Sequence, residues 1–372
     1  MKRIGILILL LMVAILGYGQ EMLTPEALWK IGRVSPLGIS TDKQYAIFSV
    51  STPDLTENKS SRKTYKIPVK GGMASVVSAH EEYLSNSKLS PNGKYLLFSK
   101  SVQELNVKST DKYPDLPQSN AYIFTSLNYR HWDTWEDGAF DHVFVAPIVN
   151  GKAAEGKDIM AGEPFDCPQK PFGGEEDYIW SPDGQKVIYV TKKKFGTDYT
   201  ISTNTDLYEY DLKSGVTKNL TENNKGYDQA PAFGKNGELA WLQMKRDGYE
   251  ADKQDIVVKS GSTVVNLTAG NDEINVNSFV WNEDGKSIFF TAPINGTVQL
   301  FQIEYPLIGK EAPEIKQRTR GDFDITGIVG QAGNTLILSR TDMNRATELF
   351  TLDIEFGDLK QLTHVNDAFY AE

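Results

Sequence analysis

Hydrophobic residues in this chain collect into short runs placed behind turn signals, and the arrangement recurs. Four segments share one plan: Leu89-Ser-Pro-Asn-Gly-Lys-Tyr-Leu-Leu-Phe98, Trp180-Ser-Pro-Asp-Gly-Gln-Lys-Val-Ile-Tyr189, Phe233-Gly-Lys-Asn-Gly-Glu-Leu-Ala-Trp241 and Trp281-Asn-Glu-Asp-Gly-Lys-Ser-Ile-Phe-Phe290. Each has an anchor residue, an Asn-Gly or Asp-Gly pair, and then a run that is apolar throughout instead of alternating. Two weaker copies flank them, Ile39 to Phe48 and Val329 to Leu338. An unbroken apolar run suits a strand covered on both faces. The Asx-Gly pairs predict type I′ hairpin turns, whose two central positions both need positive φ.

The copies are evenly spaced. From Asp42 to Asn92 is 50 residues; from Asn92 the steps to Asp183, Asn236, Asp284 and Ala332 are 91, 53, 48 and 48. Propeller repeats run at about 40 to 50 residues with four strands each. The outer half of a repeat is visible too. Thr205 to Thr221 reads as an alternating strand, a turn at Ser214-Gly215 and an outer strand, and Thr347 to Thr363 repeats that plan with its turn at Gly357-Asp358. The long step holds either a hidden repeat or an insertion. Residues 101–140 read as an insertion, rich in aromatics and prolines, after which Asp141-His-Val-Phe-Val-Ala146 resumes the repeat. The predicted fold is therefore all-β: a β-propeller of four-stranded blades, six evident and a seventh expected from the two ends of the chain. Ahead of it, Thr24-Pro-Glu-Ala-Leu-Trp-Lys-Ile31 predicts a short helix, with Thr24 as N-cap and Pro25 at the first helical position.

The opening residues change the picture of where the chain works. Lys2 and Arg3 precede thirteen apolar residues, Ile4 to Leu16, and small residues follow at Gly17 and Gly19. That is the plan of a secretory leader, and the run is short of the roughly 20 residues that span a bilayer. Residues 1–19 are expected to be a signal peptide and 20–372 the propeller, in the periplasm or secreted. A net charge of −10 offers no basic stripe for nucleic acid. Cys167 is the only cysteine, so no internal disulfide is open to it. The expected role of this thiol is a small buried apolar group.

Chemistry is sparse. No Gly-x-Ser-x-Gly elbow occurs in the sequence, so the exposed serine of an α/β-hydrolase is missing. His80-Glu-Glu-Tyr-Leu84 lacks the second histidine of a zinc site, and the four histidines are not spaced to share a metal along a helix. The Asp-Gly pairs lack the twelve-residue calcium pattern. No cofactor or metal is expected. The segment that stands out is Arg130-His131-Trp132-Asp133-Thr134-Trp135-Glu136-Asp137. Its carboxylates suit a peptide's α-ammonium group, and its rings suit a side-chain pocket. We take Arg130, His131, Trp132, Asp133, Trp135, Glu136 and Asp137 as candidate substrate-binding residues; the alternative is a plug that packs the insertion on its own blade.

The Trp-Ser-Pro-Asp-Gly repeat resembles exported bacterial propellers of the TolB and prolyl oligopeptidase groups. Leu23 to Val34 leading to Ala46 to Pro53, Tyr129-Arg-His-Trp-Asp-Thr-Trp135 with Asp141 to Val145, and the closing Lys360 to Asn366 are similar to dipeptidyl-peptidase V-like and acylaminoacyl-peptidase-like enzymes. The resemblance implies a propeller that covers a serine–aspartate–histidine site on a separate α/β-hydrolase domain and admits short peptides with a free or blocked amino terminus. It places the start of that domain where this sequence stops, so no triad residue has a matching position and the hydrolase domain is expected as a missing partner. The competing expectation is a free-standing periplasmic propeller that binds proteins, as TolB-like proteins do. Homo-oligomerisation is left open.

Overall fold

The computed structural model describes residues 24–305 and 313–371; the expected leader at 1–19 lies outside them. Six antiparallel four-stranded sheets follow one another along the chain. Blade 1 is Arg33–Ile39, Tyr45–Asp54, Lys59–Pro68 and Ser75–Val77. In blade 2 the long strands Tyr95–Gln103 and Ala139–Val149 pair, with Lys152–Ala153 and Lys157–Asp158 on the outer edge. Its inner edge is a single bridge, Leu89 to Leu96. Blades 3 to 6 begin with the inner strands Tyr178–Trp180, Asp228–Phe233, Ser278–Trp281 and Asp324–Ala332, and end with the outer strands Thr217–Asn219, Thr263–Asn266, Ile315–Gln317 and Leu359–Gln361. The expected helix forms at Pro25–Lys30, and the Thr24 side chain accepts from Ala27 N at 3.2 Å.

The unbroken apolar runs are the second strands, and their alternate residues serve different neighbours. In blade 3, Val187 and Tyr189 pack in a core shared with blade 2, while Ile188 and Val190 join blade 4. In blade 4, Leu239 and Trp241 turn back to blade 3, and Ala240 and Leu242 join blade 5. Phe289 of blade 5 and Leu336 and Leu338 of blade 6 form the next core; Ile337 joins Ala46 and Phe48 of blade 1 in another. The period of two persists, but both faces are dry, so the pattern looks continuous. Each fully buried Leu, Ile or Phe contributes roughly 1.5–3 kcal/mol.

The anchor tryptophans have a second duty. Trp180 Nε1 donates to the Lys88 carbonyl at 2.8 Å, and Trp281 Nε1 donates to the Ala232 carbonyl at 3.2 Å. Each indole thus ties its blade to the inner edge of the blade before it. Leu89 and Phe233 hold the same place in blades 2 and 4, where no such donor is available.

The turns differ from the expected type I′ form. At Ser90-Pro-Asn-Gly93 only the glycine has positive φ, 69°, and Gly93 N donates to the Ser90 carbonyl at 2.8 Å. Ser90 Oγ donates to Asn92 Oδ1 at 2.8 Å and accepts from Tyr95 N at 2.9 Å. The Asx-Gly pair fills the third and fourth turn positions instead of the two central ones, so only the glycine takes positive φ. Pro91 and Pro182 suit the second position but are not required, since Gly234 to Gly237 and Asn282 to Gly285 close the same way at 3.1 and 2.8 Å without a proline. Ser181 to Gly184 repeats the turn. Blade 1 repeats it with Lys43 (φ 59°) in the glycine position. Lys43 also reaches Glu283 of blade 5 at 2.6 Å, so these turns converge around the ring axis.

No seventh four-stranded sheet forms among the described residues. The place expected for it is filled by direct packing of blade 6 on blade 1, through Val34, Phe48, Leu349 and Leu362. A polar clasp closes the same joint: Gly32 N donates to Asn366 Oδ1 at 2.8 Å, and Asn366 Nδ2 donates to the Gly32 carbonyl at 2.9 Å. Buried Glu348 holds Asn366 in turn, accepting from its backbone N at 3.0 Å. Among the described residues, apolar cores join blades 2–3, 3–4, 4–5, 5–6 and 6–1, and on the strand face opposite Ala46 and Phe48 the Ile47 side chain is fully buried too.

Candidate functional site

Residues 104–138 leave blade 2 between its two long strands, which pair without interruption from Tyr95↔Pro147 to Gln103↔Ala139. Within this excursion Arg130–His131 pairs with Thr134–Trp135 as a small hairpin. Its tip residue Trp132 has φ 51°, a conformation bulky side chains rarely adopt. Arg130 Nε donates to the Trp132 carbonyl at 2.6 Å and holds that tip. The hairpin stands on stacked rings: Tyr122 on Phe124, and Phe124 on both Tyr129 and Trp135. Arg130 lies over Trp135 at 5.6 Å, and Trp132 meets Phe172 edge-on at 5.7 Å. Trp132 and Phe172 remain 67% and 80% exposed, so this is a rim and not a core.

Behind the rim is a cavity of 1380 Å³. Its wall comes from the inner strands of blades 4 and 5 (Gln229 to Ala232, Ser278, Phe279), from the loop at 169–173, and from residues 199–203. Of the candidate residues, Arg130 and His131 line this cavity. Glu136 lines a neighbouring one of 210 Å³ with Asp166 and Tyr199. Trp132, Asp133, Trp135 and Asp137 line neither. Asp137 instead caps the start of the following strand, accepting from Ala139 N at 3.0 Å. Asp133 sits exposed at the hairpin tip.

Glu136 is drawn into a charged group that its own segment does not reveal. Lys170 Nζ contacts Asp166 Oδ1 at 2.9 Å and Asp141 Oδ2 at 3.4 Å. Burial pushes the Glu136 carboxyl up, and the neighbouring Asp166 adds to the rise. Burial raises Asp166 as well, against the pull of Lys170. Lys170 thus pairs with two carboxylates and lies in the field of a third, Glu136. Deeper on the wall Asp177 is nearly inaccessible, and its carboxyl is pushed up to about 7 by desolvation. Tyr199 lies between the two cavities and is pushed up to about 12, first by burial and then by Asp166.

Donors of metal-binding type come together once among the described residues, at Glu104, His142 and Asp158. His142 Nδ1 is 2.8 Å from Asp158 Oδ2 and 3.9 Å from Glu104 Oε1, and its Nε2 is 2.8 Å from the Glu163 carbonyl. The imidazole is fully buried with a partner at each nitrogen, which is the arrangement of a structural hydrogen-bond bracket. Cys167 is fully buried as expected, and burial pushes its thiol well above the ordinary range.

The chain is 32% identical over 397 residues to the dipeptidyl-peptidase 5 of Porphyromonas gingivalis, an alignment that covers 94% of this chain and 56% of the relative. To that of Porphyromonas endodontalis it is 31% identical, covering 95% and 56%. The dipeptidyl-peptidase 5 of Aspergillus fumigatus is 26% identical over 68% of this chain. The chain therefore spans about half the length of the curated relatives it matches. No protein-family model matches it. Among solved structures, an acylaminoacyl peptidase from Pyrococcus horikoshii superposes with a TM-score of 0.63 at 14% identity, over 92% of this chain and 54% of that one. The propeller domain of the trilobed protease from Pyrococcus furiosus gives 0.55 at 17% identity, over 92% and 99%. These two structural likenesses establish the propeller fold.

Proposed function

We infer, from the premise that nearly all of this chain is homologous to dipeptidyl-peptidase 5 proteins, that it is the propeller part of an exported serine-type exopeptidase. In this reading the propeller gates and recognises short peptides, while a hydrolase domain in the missing half of the relatives' length cuts them. The observation that carries it is the placement of the hairpin. Arg130 and His131 form part of the wall of a 1380 Å³ cavity, large enough for a short peptide and too confined for a folded protein. The amino terminus of the peptide is assigned to the adjoining 210 Å³ cavity, where Glu136 and Asp166 form part of the wall and Tyr199 is shared with the larger one.

The test is peptide affinity in the intact parent protein. Glu136→Gln should weaken a peptide with a free amino terminus about tenfold or more, the scale of one charge-assisted hydrogen bond. Asp133→Asn, at the tip and outside both cavities, should leave affinity unchanged. Unchanged affinity in Glu136→Gln removes the amine assignment. The size of the native protein tests the wider reading. Blotting with an antibody to the propeller should show a band about 25–30 kDa heavier than this chain, as a further domain of about 250 residues requires. A band at the size of the chain favours the stand-alone binding module instead.

A further inference from the structure

Two lysines line this cavity, Lys170 and Lys192, and Lys193 follows in the chain; Lys170 and Lys193 are neutralised. Lys170 contacts Asp166 and Asp141, and Lys193 contacts Glu163 at 2.6 Å. Lys192 is different. It lines the cavity and is only 9% exposed. Its backbone N donates to Gln169 Oε1 at 2.7 Å. Its ammonium has no carboxylate within ion-pair distance among the described residues, and its one close neighbour is the Tyr199 ring at 4.2 Å. The charges that face it are Asp247, Glu250 and Lys194. Asp247 commits Oδ1 to Ser202 Oγ at 2.7 Å and Thr203 N at 2.8 Å, and Glu250 is exposed. A buried ammonium without a counter-ion is costly, and proteins keep such groups chiefly where a ligand completes them.

We propose that Lys192 is an anion-binding residue of this cavity and takes a carboxylate of the ligand. The geometry gives the cavity a sense of direction. Tyr199 carries Lys192 over its ring, while its hydroxyl lies in the field of Asp166 and Glu136. Tyr199 lines both cavities, so a ligand that reaches past it from the smaller one meets Glu136 and Asp166 on one side and Lys192 on the other. The favoured ligand is therefore a short peptide with both termini free, and the separation of the two charges acts as a length gauge. The proposal rests on the peptide reading above and adds a second anchoring charge to it. Desolvation depresses the Lys192 ammonium below its ordinary value, and a bound carboxylate reverses that cost.

Calorimetric titration of the full chain at low salt tests this with three peptides: trialanine, trialanine amide, and the amide of Ala-Asp-Ala. We expect trialanine to bind about ten- to a hundredfold tighter than its amide, as a charge-assisted hydrogen bond implies. Lys192→Met should abolish that preference and Lys192→Arg should keep most of it. A preference for Ala-Asp-Ala amide over trialanine amide supports the anion site and identifies a side chain as the source of the carboxylate. Equal affinity for trialanine and its amide in the unaltered protein overturns the Lys192 proposal and leaves the peptide cavity standing; that comparison needs no variant. Binding of none of the three at millimolar concentration overturns both. Thermal melting is a further check. Removing an unpaired charge should hold or raise the Tm of Lys192→Met, and a fall of several degrees marks the lysine as structural.

Discussion

Replacing Asn366 by alanine removes the clasp between the first and last blades. Two short hydrogen bonds to Gly32 disappear, at 2.8 and 2.9 Å, with a longer one to Glu348 at 3.5 Å. A net hydrogen bond is worth about 0.5–1.5 kcal/mol, and a buried group left without its partner costs about 1–3. Gly32 is buried and its N–H loses its partner, while Glu348 keeps Thr363 Oγ1 and Asn366 N. The expected loss is therefore about 2–4 kcal/mol. Asn366→Asp sharpens the test. It keeps an acceptor for Gly32 N but turns the other oxygen on the Gly32 carbonyl and the Glu348 carboxylate, two acceptors. Despite its closer shape, aspartate should destabilise more than alanine at pH 7, and acidification that protonates it should restore part of the loss. Urea denaturation of both variants followed by tryptophan fluorescence measures this. A loss under about 0.5 kcal/mol for alanine, or aspartate milder than alanine, refutes the claim that these bonds close the ring.

Two further predictions concern burial. Asp177 has a folded-state pKa of about 7 against 3.8 for the free group. The folded state therefore binds its proton more tightly, and stability is highest below the unfolded value and is lost as pH rises from 4 towards 7. Asp177→Asn should flatten that slope and stabilise the protein at pH 8 by up to about 4 kcal/mol; a slope that survives the substitution assigns it to other groups. Trp180→Phe should cost about 0.5–1.5 kcal/mol by removing one of the two hydrogen bonds on the Lys88 carbonyl, which keeps Leu97 N at 2.8 Å, and Trp281→Phe should cost less because its bond is longer and its ring less buried. Equal losses, measured by the same denaturation, remove the inter-blade role of the indole.

Much of the ring was legible because a blade repeats its local chemistry. The turn glycines and the double-faced apolar strands mark six sheets without any long-range information. The turn type differs from the expected one because the Asx-Gly pair falls one position later in the turn, at its third and fourth residues, an offset the dipeptide alone does not show. The seventh sheet was expected from spacing, and spacing cannot reveal that Val34 and Leu362 already meet. The candidate hairpin stood out through its rings, yet its chemically important neighbours did not. Asp141 lies in a long strand of blade 2, Asp166 and Lys170 in the segment that leads to blade 3, and Lys192 just past a blade 3 strand; folding brings them together, and each looks like ordinary surface charge in sequence. Lys192 carries a signal only in its lack of a partner, which is a property of three-dimensional space.

The closure of the ring sets contact order against chain order. Blades 6 and 1 share an apolar core with no covalent link between them among the described residues. In nearest-neighbour terms the two sequence extremes are held by packing and the Asn366 clasp alone. A break at this joint opens the circle into an arc while every peptide connection stays intact.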